Sequence, residues 1–249
     1  MAKKIRADQL LVEQGLAESR EKAKRLVMAG VVSMQHGPRT EPVAKPGQQL
    51  AADTVLLVKE TERFVSRGGY KLLTALEHFQ VDVSGKVALD AGASTGGFTD
   101  CLLQFGAARV YAVDVGRGQL HEKLVQDPRV IGLEKVNLRL AEPGLLPESV
   151  DVLVADVSFI SLTVILEACK QFLKPGAHIL ALVKPQFELG PGATVKGVVK
   201  DPARQEEAVE KVRIFAEERL GFQFLGSVPS KIKGPKGNQE YMLHFRHAG

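Results

Sequence analysis

Short apolar runs of strand length alternate with helical segments through most of the chain after residue 64. Strands are predicted near residues 87–89, 110–113, 130–133, 150–155 and 178–183, and helices near 97–105, 120–126, 162–172 and 202–220. This alternation is typical of an α/β fold with a mostly parallel sheet. The last two predicted strands, at 223–228 and 240–245, are joined by a loop rich in Lys, Gly and Pro. We expect them to form an antiparallel hairpin that closes the sheet.

The first 58 residues follow a different pattern, which predicts two helices and then two short strands at 31–34 and 55–58. Gly15 and Gly30 are placed to end the helices, and Ser19 is a favourable N-cap for the second helix. Residues 59–64 form a charged connector without apolar periodicity. We therefore expect a small α+β domain at 1–58, a linker at 59–64 and the α/β domain at 65–249.

The composition limits the classes of protein to be considered. The net charge is +4, and the first 58 residues hold nine Lys or Arg against six Asp or Glu, which permits a nucleic-acid partner. No apolar run approaches the ~18 residues of a membrane span, and no apolar core follows the basic start as it would in a secretory signal. Cys101 and Cys169 lie in apolar helical patterns. We therefore expect a cytoplasmic protein without a disulfide framework or a zinc site.

A glycine-rich loop follows the first strand of the α/β domain, in the run Asp90-Ala-Gly-Ala-Ser-Thr-Gly-Gly-Phe98. Its spacing matches neither the dinucleotide motif G-x-G-x-x-G nor a phosphate-binding P-loop, which needs Lys after its last glycine. The second strand ends at Asp114, where a carboxylate can accept both hydroxyls of an adenosine ribose. An acid before the loop suits a ligand that has a positive charge and no pyrophosphate. S-adenosylmethionine fits this description, and the alternative is a plain glycine-rich turn.

Four further charged residues stand at informative positions. Lys71 precedes the first strand, Asp156 and Lys184 come at the ends of the fourth and fifth strands, and Glu240 opens the last strand. Ligands of open α/β sheets bind beyond the carboxyl ends of the strands, so Asp156 and Lys184 are expected at one rim with Asp90 and Asp114. A lysine at the end of an apolar strand needs a partner, because burial of an unpaired ammonium is costly. The alternative for Asp156 and Lys184 is a purely structural ion pair.

The order Lys71, Asp156, Lys184, Glu240 resembles the catalytic tetrad of the FtsJ-type RNA 2′-O-methyltransferases. From about residue 3 to residue 246 the chain resembles the TlyA family, also labelled haemolysin A, through the motifs Ser66-Arg-Gly-Gly-Tyr-Lys71, Ala155-Asp156-Val-Ser-Phe-Ile-Ser and Val183-Lys184-Pro-Gln-Phe-Glu. The resemblance implies a Rossmann-like methyltransferase sheet that uses S-adenosylmethionine. It also implies methylation of cytidine 2′-hydroxyls in ribosomal RNA of the small subunit and, in some members, of the large one. The first 58 residues resemble an αL-type RNA-binding domain.

The resemblance also implies roles for individual residues. Lys184 is the expected base, Lys71 and Asp156 position the hydroxyl and the methyl group, and Glu240 orients the lysines. The expected cofactor-binding residues are Asp90, Gly92, Ala93, Ser94, Thr95, Gly96, Gly97, Phe98, Asp114, Val115, Asn137 and Asp156. The expected RNA-binding residues are Lys3, Lys4, Arg6, Arg20, Lys24, Arg25, Arg67, Lys231 and Lys233.

The sequence leaves open both the protonation state of the lysine base and the choice between several functions. A ribose hydroxyl must lose its proton as it attacks, and burial and a second ammonium favour a neutral lysine for that task while nearby carboxylates oppose it. No metal is expected, because the histidines lack ligand spacing, and His244 and His247 are expected at the surface. The rival functions are a methyltransferase that acts on another RNA, a non-catalytic RNA-binding protein, a pseudouridine synthase and a pore-forming haemolysin. No spanning segment supports the last of these, and the partners expected are ribosomal RNA or ribosomal subunits rather than a membrane.

Overall fold

The structure is a computed structural model that describes residues 4–37, 39–59, 62–190 and 192–249. The chain divides into two compact units, Met1–Arg63 and Phe64–Gly249. The division falls in the charged segment between the basic N-terminal part and the alternating part of the sequence. Each unit has its own apolar core.

The first unit is a small α+β fold. Its helices α1 and α2 pack together through apolar side chains such as Leu11 and Val27. Within the described part of this unit, five strands form two small sheets, β1 with β4 and β3-β2-β5. The elements are β1 (Lys4–Arg6), α1 (Ala7–Glu13), α2 (Arg20–Met28), β2 (Val32–His36), β3 (Arg39–Pro42), β4 (Gln49–Ala51) and β5 (Leu56–Val58).

The N-cap of α2 and the strands of the first unit can be compared with the sequence-based predictions. The Ser19 side chain accepts a hydrogen bond from the backbone N–H of Lys22, at 3.2 Å, which confirms the predicted N-cap of α2. The two predicted strands are present as β2 and β5, but β1, β3 and β4 were missed. These strands are three or four residues long, and Ile5 and Leu50 are the buried side chains that they supply in the described chain. So few apolar residues produce no readable alternation.

The second unit is built on a twisted α/β sheet. Its strands are β6 (Val87–Ala91), β7 (Arg109–Asp114), β8 (Val130–Glu134), β9 (Val150–Ala155), β10 (Leu173–Val183), β11 (Phe222–Pro229) and β12 (Tyr241–His247). Within the described residues their order is β11-β12-β10-β9-β6-β7-β8. Strands β6 to β10 run parallel, and β12 pairs antiparallel with both β10 and β11. The mostly parallel sheet and its antiparallel closing hairpin are therefore confirmed.

Helices cover both faces of this sheet, because its central strands are apolar on both sides. Along β9, Val152 and Val154 pack into the core that includes α3 and α4, whereas Leu153 and Ala155 pack into the core that includes α6 and α8. The helices are α3 (Gly68–Phe79), α4 (Gly97–Gln104), α5 (Glu122–Val125), α6 (Leu162–Cys169), α7 (Pro185–Glu188) and α8 (Pro202–Glu218). Short 3-10 turns lie at Leu138–Leu140, Pro143–Leu145, Lys170–Phe172 and Pro235–Gly237.

Several details differ from the sequence-based expectations. Helix α3 was not predicted as a helix, and Lys71 lies in its first turn. Glu240 precedes β12 rather than opening it. His244 is buried, contrary to the expectation that it lies at the surface, because its ring packs against Phe79 and His178. Among the residues described, no helix has both the length and the apolar character needed to cross a membrane.

Candidate active site

The carboxyl ends of the parallel strands bring the predicted polar residues to one rim of the sheet. Asp90 lies near the end of β6, Asp114 ends β7, and Asp156 and Lys184 directly follow β9 and β10. A cavity of about 270 Å³, the catalytic cavity, opens at this rim. Its lining includes Lys71, Asp156, Ser158 and Lys184 together with Gly92 to Thr95, Gly97 and Phe98 of the glycine-rich loop.

Two close ion pairs hold the lysines of this cavity in place. The Lys71 Nζ lies 2.6 Å from Oε2 of Glu240, and the Lys184 Nζ lies 2.5 Å from Oδ1 of Asp156. Both lysine side chains are 9% exposed, while Asp156 is 20% exposed and Glu240 is completely buried. These carboxylate oxygens are close enough for strong charge attraction, but they are not aligned with a hydrogen-bond donor of the described chain. The four residues named by their sequence order thus form two pairs, and the lysines of both pairs line the cavity.

The Glu240 carboxylate is enclosed by the loop that precedes β12. A Cβ added at Gly234 would lie 2.0 Å from Oε1 of Glu240, so only glycine leaves room for this carboxylate. Another residue of the loop, Pro235, lines the catalytic cavity. The buried Asn238 side chain donates to the carbonyl oxygens of Gly197 and Pro235, at 2.9 and 3.1 Å. The loop is therefore held closely around the Lys71–Glu240 pair.

A second cavity, of about 510 Å³, also borders the glycine-rich loop. It shares Gly92, Ser94, Asp156 and Ser158 with the catalytic cavity. The remaining lining combines Asp114, Gln119 and Asn137 with apolar side chains, Val113, Val115, Val136, Leu138, Val157, Phe159, Ile160 and Ile165. Its volume lies within the usual range of small-molecule sites. The cavity thus combines two carboxylates, Asp114 and Asp156, with an apolar lining.

The Asp114 carboxylate is fixed by backbone hydrogen bonds. Its Oδ2 accepts from the Ser94 N–H at 2.8 Å, and its Oδ1 accepts from the Gly116 N–H at 2.7 Å. Ser94 adopts a left-handed conformation with φ of 49°, which is uncommon for a residue with a side chain. An ionised carboxylate has about four acceptor positions, so Asp114 keeps capacity for the hydroxyls of a ligand.

S-adenosylmethionine fits the residues that surround this second cavity. The ligand has a nucleoside, two ribose hydroxyls and cationic groups, and the cavity offers an apolar lining, the Asp114 carboxylate and the Asp156 carboxylate. A Cβ at Gly92 would lie 2.8 Å from the carbonyl oxygen of Asp156, so the two loops meet closely where the cavities join. The residues that would hold the cofactor are therefore Gly92 and Ser94 of the glycine-rich loop, Asp114, Val115, Asn137 and Asp156.

Comparison with known proteins agrees with this geometry. The family model for FtsJ-like methyltransferases matches residues 64–247. The chain is 46% identical to the 16S/23S rRNA (cytidine-2′-O)-methyltransferase TlyA of Mycobacterium tuberculosis, over 99% of this chain and 91% of that protein. It is 37% identical to Hemolysin A of Brachyspira hyodysenteriae, over 97% of this chain and 99% of that protein. The chain belongs to the TlyA/hemolysin A family of FtsJ-like methyltransferases.

A solved structure supports the same assignment. A candidate hemolysin from Streptococcus thermophilus superposes with a TM-score of 0.73 at 44% identity, covering 99% of this chain and 90% of that one. The family resemblance that the sequence motifs indicated is therefore confirmed.

Some of the expected cofactor residues lie away from both cavities. Gly96 faces Leu120 and Leu124, and a Cβ there would lie 2.2 Å from Leu124, so its small size serves packing. Asp90 is buried beneath the loop, where its Oδ2 accepts a hydrogen bond of 2.6 Å from Thr99. Its Oδ1 accepts no hydrogen bond from the described residues, and burial raises the pKa of Asp90 to about 7. Asp90 thus supports the loop instead of lining a cavity.

The expected RNA-binding residues fall into separate groups. In the second unit, Arg67 lines the catalytic cavity and donates a 2.8 Å hydrogen bond to the carbonyl oxygen of Lys233. Lys233 is exposed, and Lys231 lies 3.7 Å from Glu77. Arg67 therefore lies at the site and Lys233 beside it, whereas Lys231 contacts a residue that lines neither cavity.

In the first unit, Arg6 and Arg20 both contact the buried Asp8, at 2.8 and 3.4 Å, so each has a structural partner. Lys24 pairs with Glu21 at 2.8 Å. Lys4 and Arg25 are exposed, and Lys3 lies outside the described residues.

Sequence reasoning missed other residues that line the cavities. Ser66, Ser158, Phe159 and Gln119 contribute to the lining without having been singled out. Ser158 and Phe159 stand in the same motif as Asp156, so proximity to a strand end was an available signal. Gln119 carries no such signal, because it reaches the cavity only through the turn that follows β7. In the part of the chain that the structure describes, no group of three or more His, Cys, Asp or Glu side chains could hold a metal ion.

Proposed function

We propose that this chain transfers a methyl group from S-adenosylmethionine to the 2′-hydroxyl of cytidine in 16S and 23S ribosomal RNA. The observation that carries the proposal is the junction of two cavities at Asp156. One cavity suits the cofactor, and the other presents Lys71 and Lys184. The nucleotide and the RNA come from the TlyA relative, whose named activity is cytidine 2′-O-methylation of 16S and 23S rRNA.

The chain's own residues supply binding, orientation and proton transfer. S-adenosylmethionine supplies an electrophilic methyl group on a sulfonium when it is bound. Asp114 holds the ribose hydroxyls of the cofactor, and the glycine-rich loop lets the backbone approach it. Lys184 removes the proton from the 2′-hydroxyl, with Asp156 beside it at 2.5 Å. Lys71, fixed by Glu240, positions the same hydroxyl. Orientation of the two reactants provides most of the rate.

The substrate is structured ribosomal RNA, either naked or within a ribosomal subunit, in the cytoplasm. The small domain at 1–58, joined by the linker at 59–64, supplies one part of the binding surface, and the cations Arg67, Lys231 and Lys233 supply another beside the catalytic cavity. Phosphate contacts by Lys and Arg position a nucleic acid without specifying its sequence. Within the small domain, Lys24 and Arg25 are the better residues for testing RNA contact. Loss of Arg6 or Arg20 would also remove a cation that balances the charge of the buried Asp8.

The experiment that tests the proposal is transfer of labelled methyl groups to small subunits, large subunits and naked 16S and 23S rRNA. Wild type is compared with Lys184→Ala, Asp114→Ala and the matched control Lys86→Ala. Lys86 is exposed and directly precedes β6. It therefore lies at the amino ends of the parallel strands, whereas the cavities lie at their carboxyl ends. We expect label at a 2′-O-methylated cytidine with wild type and Lys86→Ala.

The variants separate the assigned roles. Lys184→Ala should abolish transfer but bind S-adenosylmethionine with unchanged affinity, whereas Asp114→Ala should weaken that binding. A wild-type protein that binds the cofactor but labels no rRNA or subunit would refute the proposed substrate. Equal loss of cofactor binding in both variants would refute the division of roles.

A further inference from the structure

Ser158 makes a directed contact with the amine at the centre of the catalytic cavity. Its hydroxyl oxygen accepts a hydrogen bond of 2.8 Å from the Lys184 Nζ. Among the residues that the structure describes, it is the only side chain to which this amine donates an aligned hydrogen bond. Asp156 lies closer, at 2.5 Å, but its Oδ1 is not aligned as a hydrogen-bond acceptor. Asp156 therefore attracts the amine by charge, while Ser158 fixes a direction.

Direction matters for a lysine that accepts a proton. A neutral amine has two N–H bonds and one lone pair, and the lone pair must face the hydroxyl that loses its proton. Charge attraction depends mainly on distance and leaves rotation about the terminal C–N bond free, whereas a hydrogen bond weakens steeply as its angle departs from linearity. An acceptor that holds one N–H thus restricts where the lone pair points.

The Ser158 oxygen is itself held in place by the loop that carries it. Phe159 adopts a left-handed conformation with φ of 66°, and its ring packs against Phe187 with centroids 5.0 Å apart. The buried Glu188 carboxylate then accepts hydrogen bonds from the Ser161 hydroxyl at 2.6 Å and from the Leu162 N–H at 2.8 Å. The loop after β9 is therefore joined to the loop after β10 just beyond the Ser158–Lys184 contact.

We propose that Ser158 is a positioning residue that orients the Lys184 amine toward the substrate hydroxyl. This inference rests on the proposed function, because it acts through Lys184. Ser158 also lines both cavities, so its hydroxyl lies where the cofactor and the acceptor meet. The other charged side chains that line the catalytic cavity are Arg67, Lys71 and Asp156, and the test leaves all of them unchanged.

The test compares Ser158→Ala and Ser158→Thr with wild type and with Ser227→Ala, a serine exposed on β11. Methyl transfer to rRNA is measured at saturating S-adenosylmethionine, and cofactor affinity and melting temperature are measured separately. We expect Ser158→Ala to lower kcat by about two- to tenfold, the range for loss of a hydrogen bond between neutral groups. The KM for RNA and the Kd for cofactor should change less than about twofold. Ser158→Thr should recover most of the loss, because the residue is exposed and has room for a methyl group.

Each outcome decides between the two proposals. A wild-type enzyme that methylates no rRNA would refute the proposed function. An active wild type with an equally active Ser158→Ala variant would refute the positioning role alone. The same role is refuted if Ser158→Ala acts by weakening cofactor binding, or if Ser158→Thr is as slow as Ser158→Ala. Retained folding with a kcat defect that threonine reverses would establish it.

Discussion

Removal of the Glu240 charge should destabilise the second unit strongly. Glu240 is completely buried, and its Oε2 lies 2.6 Å from the Lys71 Nζ, so Glu240→Gln leaves an ammonium in the interior without a compensating charge. At an effective dielectric constant near 20, opposite charges at this distance attract by about 6 kcal/mol. The remaining access of Lys71 to solvent and the polarity of the glutamine amide reduce the net effect. Breaking a buried pair usually costs about 3–5 kcal/mol.

The assay is thermal unfolding of the protein without ligand at neutral pH. For a unit of this size the expected decrease in Tm is roughly 6–20 °C, since each kcal/mol corresponds to about 2–4 °C. Glu77→Gln is the matched control, because Glu77 is 53% exposed and lies 3.7 Å from the exposed Lys231. Exposed pairs contribute little, so its Tm should remain within about 2 °C of wild type.

A second variant tests the cause of the loss. Lys71→Met combined with Glu240→Gln removes the uncompensated ammonium, so the double variant should be more stable than Glu240→Gln alone. A decrease in Tm no larger than that of the Glu77 control would refute the reasoning. A double variant less stable than Glu240→Gln would also contradict it, because the defect would then come from packing rather than from charge.

Three further predictions concern groups close to the sheet. Burial raises the pKa of Asp90 from its ordinary 3.8 to about 7. The free energy of unfolding should therefore fall as the pH rises from about 4 to about 7, by at most about 1.4 kcal/mol per pH unit. Asp90→Asn should remove this dependence in denaturant titrations. Burial lowers the pKa of His244 from 6.5 to about 4, so stability should fall as the pH decreases through that interval, and a slope unchanged in His244→Gln would contradict the assignment. Gly234→Ala places a Cβ 2.0 Å from Oε1 of Glu240 and should lower kcat at least about tenfold. The control is Gly144→Ala, whose Cβ meets no atom within 4 Å and should leave kcat unchanged.

The overall fold could be predicted because its signal is local. Apolar strands alternate with helices along the sequence, and the closing hairpin is marked by a loop rich in Gly, Pro and Lys. Helix α3 was missed because it begins with Gly68 and Gly69, which are typical of loops. The reason for Gly69 is tertiary, since a Cβ there would lie 2.3 Å from the Phe64 ring. Nothing in the local sequence indicates that contact.

The candidate site divides in the same way. Asp114, Asp156 and Lys184 could be placed at one rim, because parallel strands align their carboxyl ends. The roles of Gly96, Gly234 and Ser158 depend on residues distant in the sequence or on the path of a loop. Gly96 makes room for Leu124, and Gly234 makes room for Glu240. A sequence motif shows that a glycine is present, but it does not show which contact requires the glycine.

The surroundings of the two lysines explain how one residue type can serve two roles in one cavity. Lys71 pairs with a carboxylate that is completely buried and enclosed by Gly234, so its charge is balanced on the protein side. Lys184 pairs with Asp156, which is 20% exposed and also lines the cofactor cavity. The Lys184 amine therefore shares its partner with whatever binds there, and Ser158 sets its direction. A fixed cation suits the orientation of a hydroxyl, and an amine whose partners Asp156 and Ser158 line both cavities suits proton transfer. The asymmetry of the two pairs thus supports Lys184 as the base and Lys71 as the residue that positions the hydroxyl.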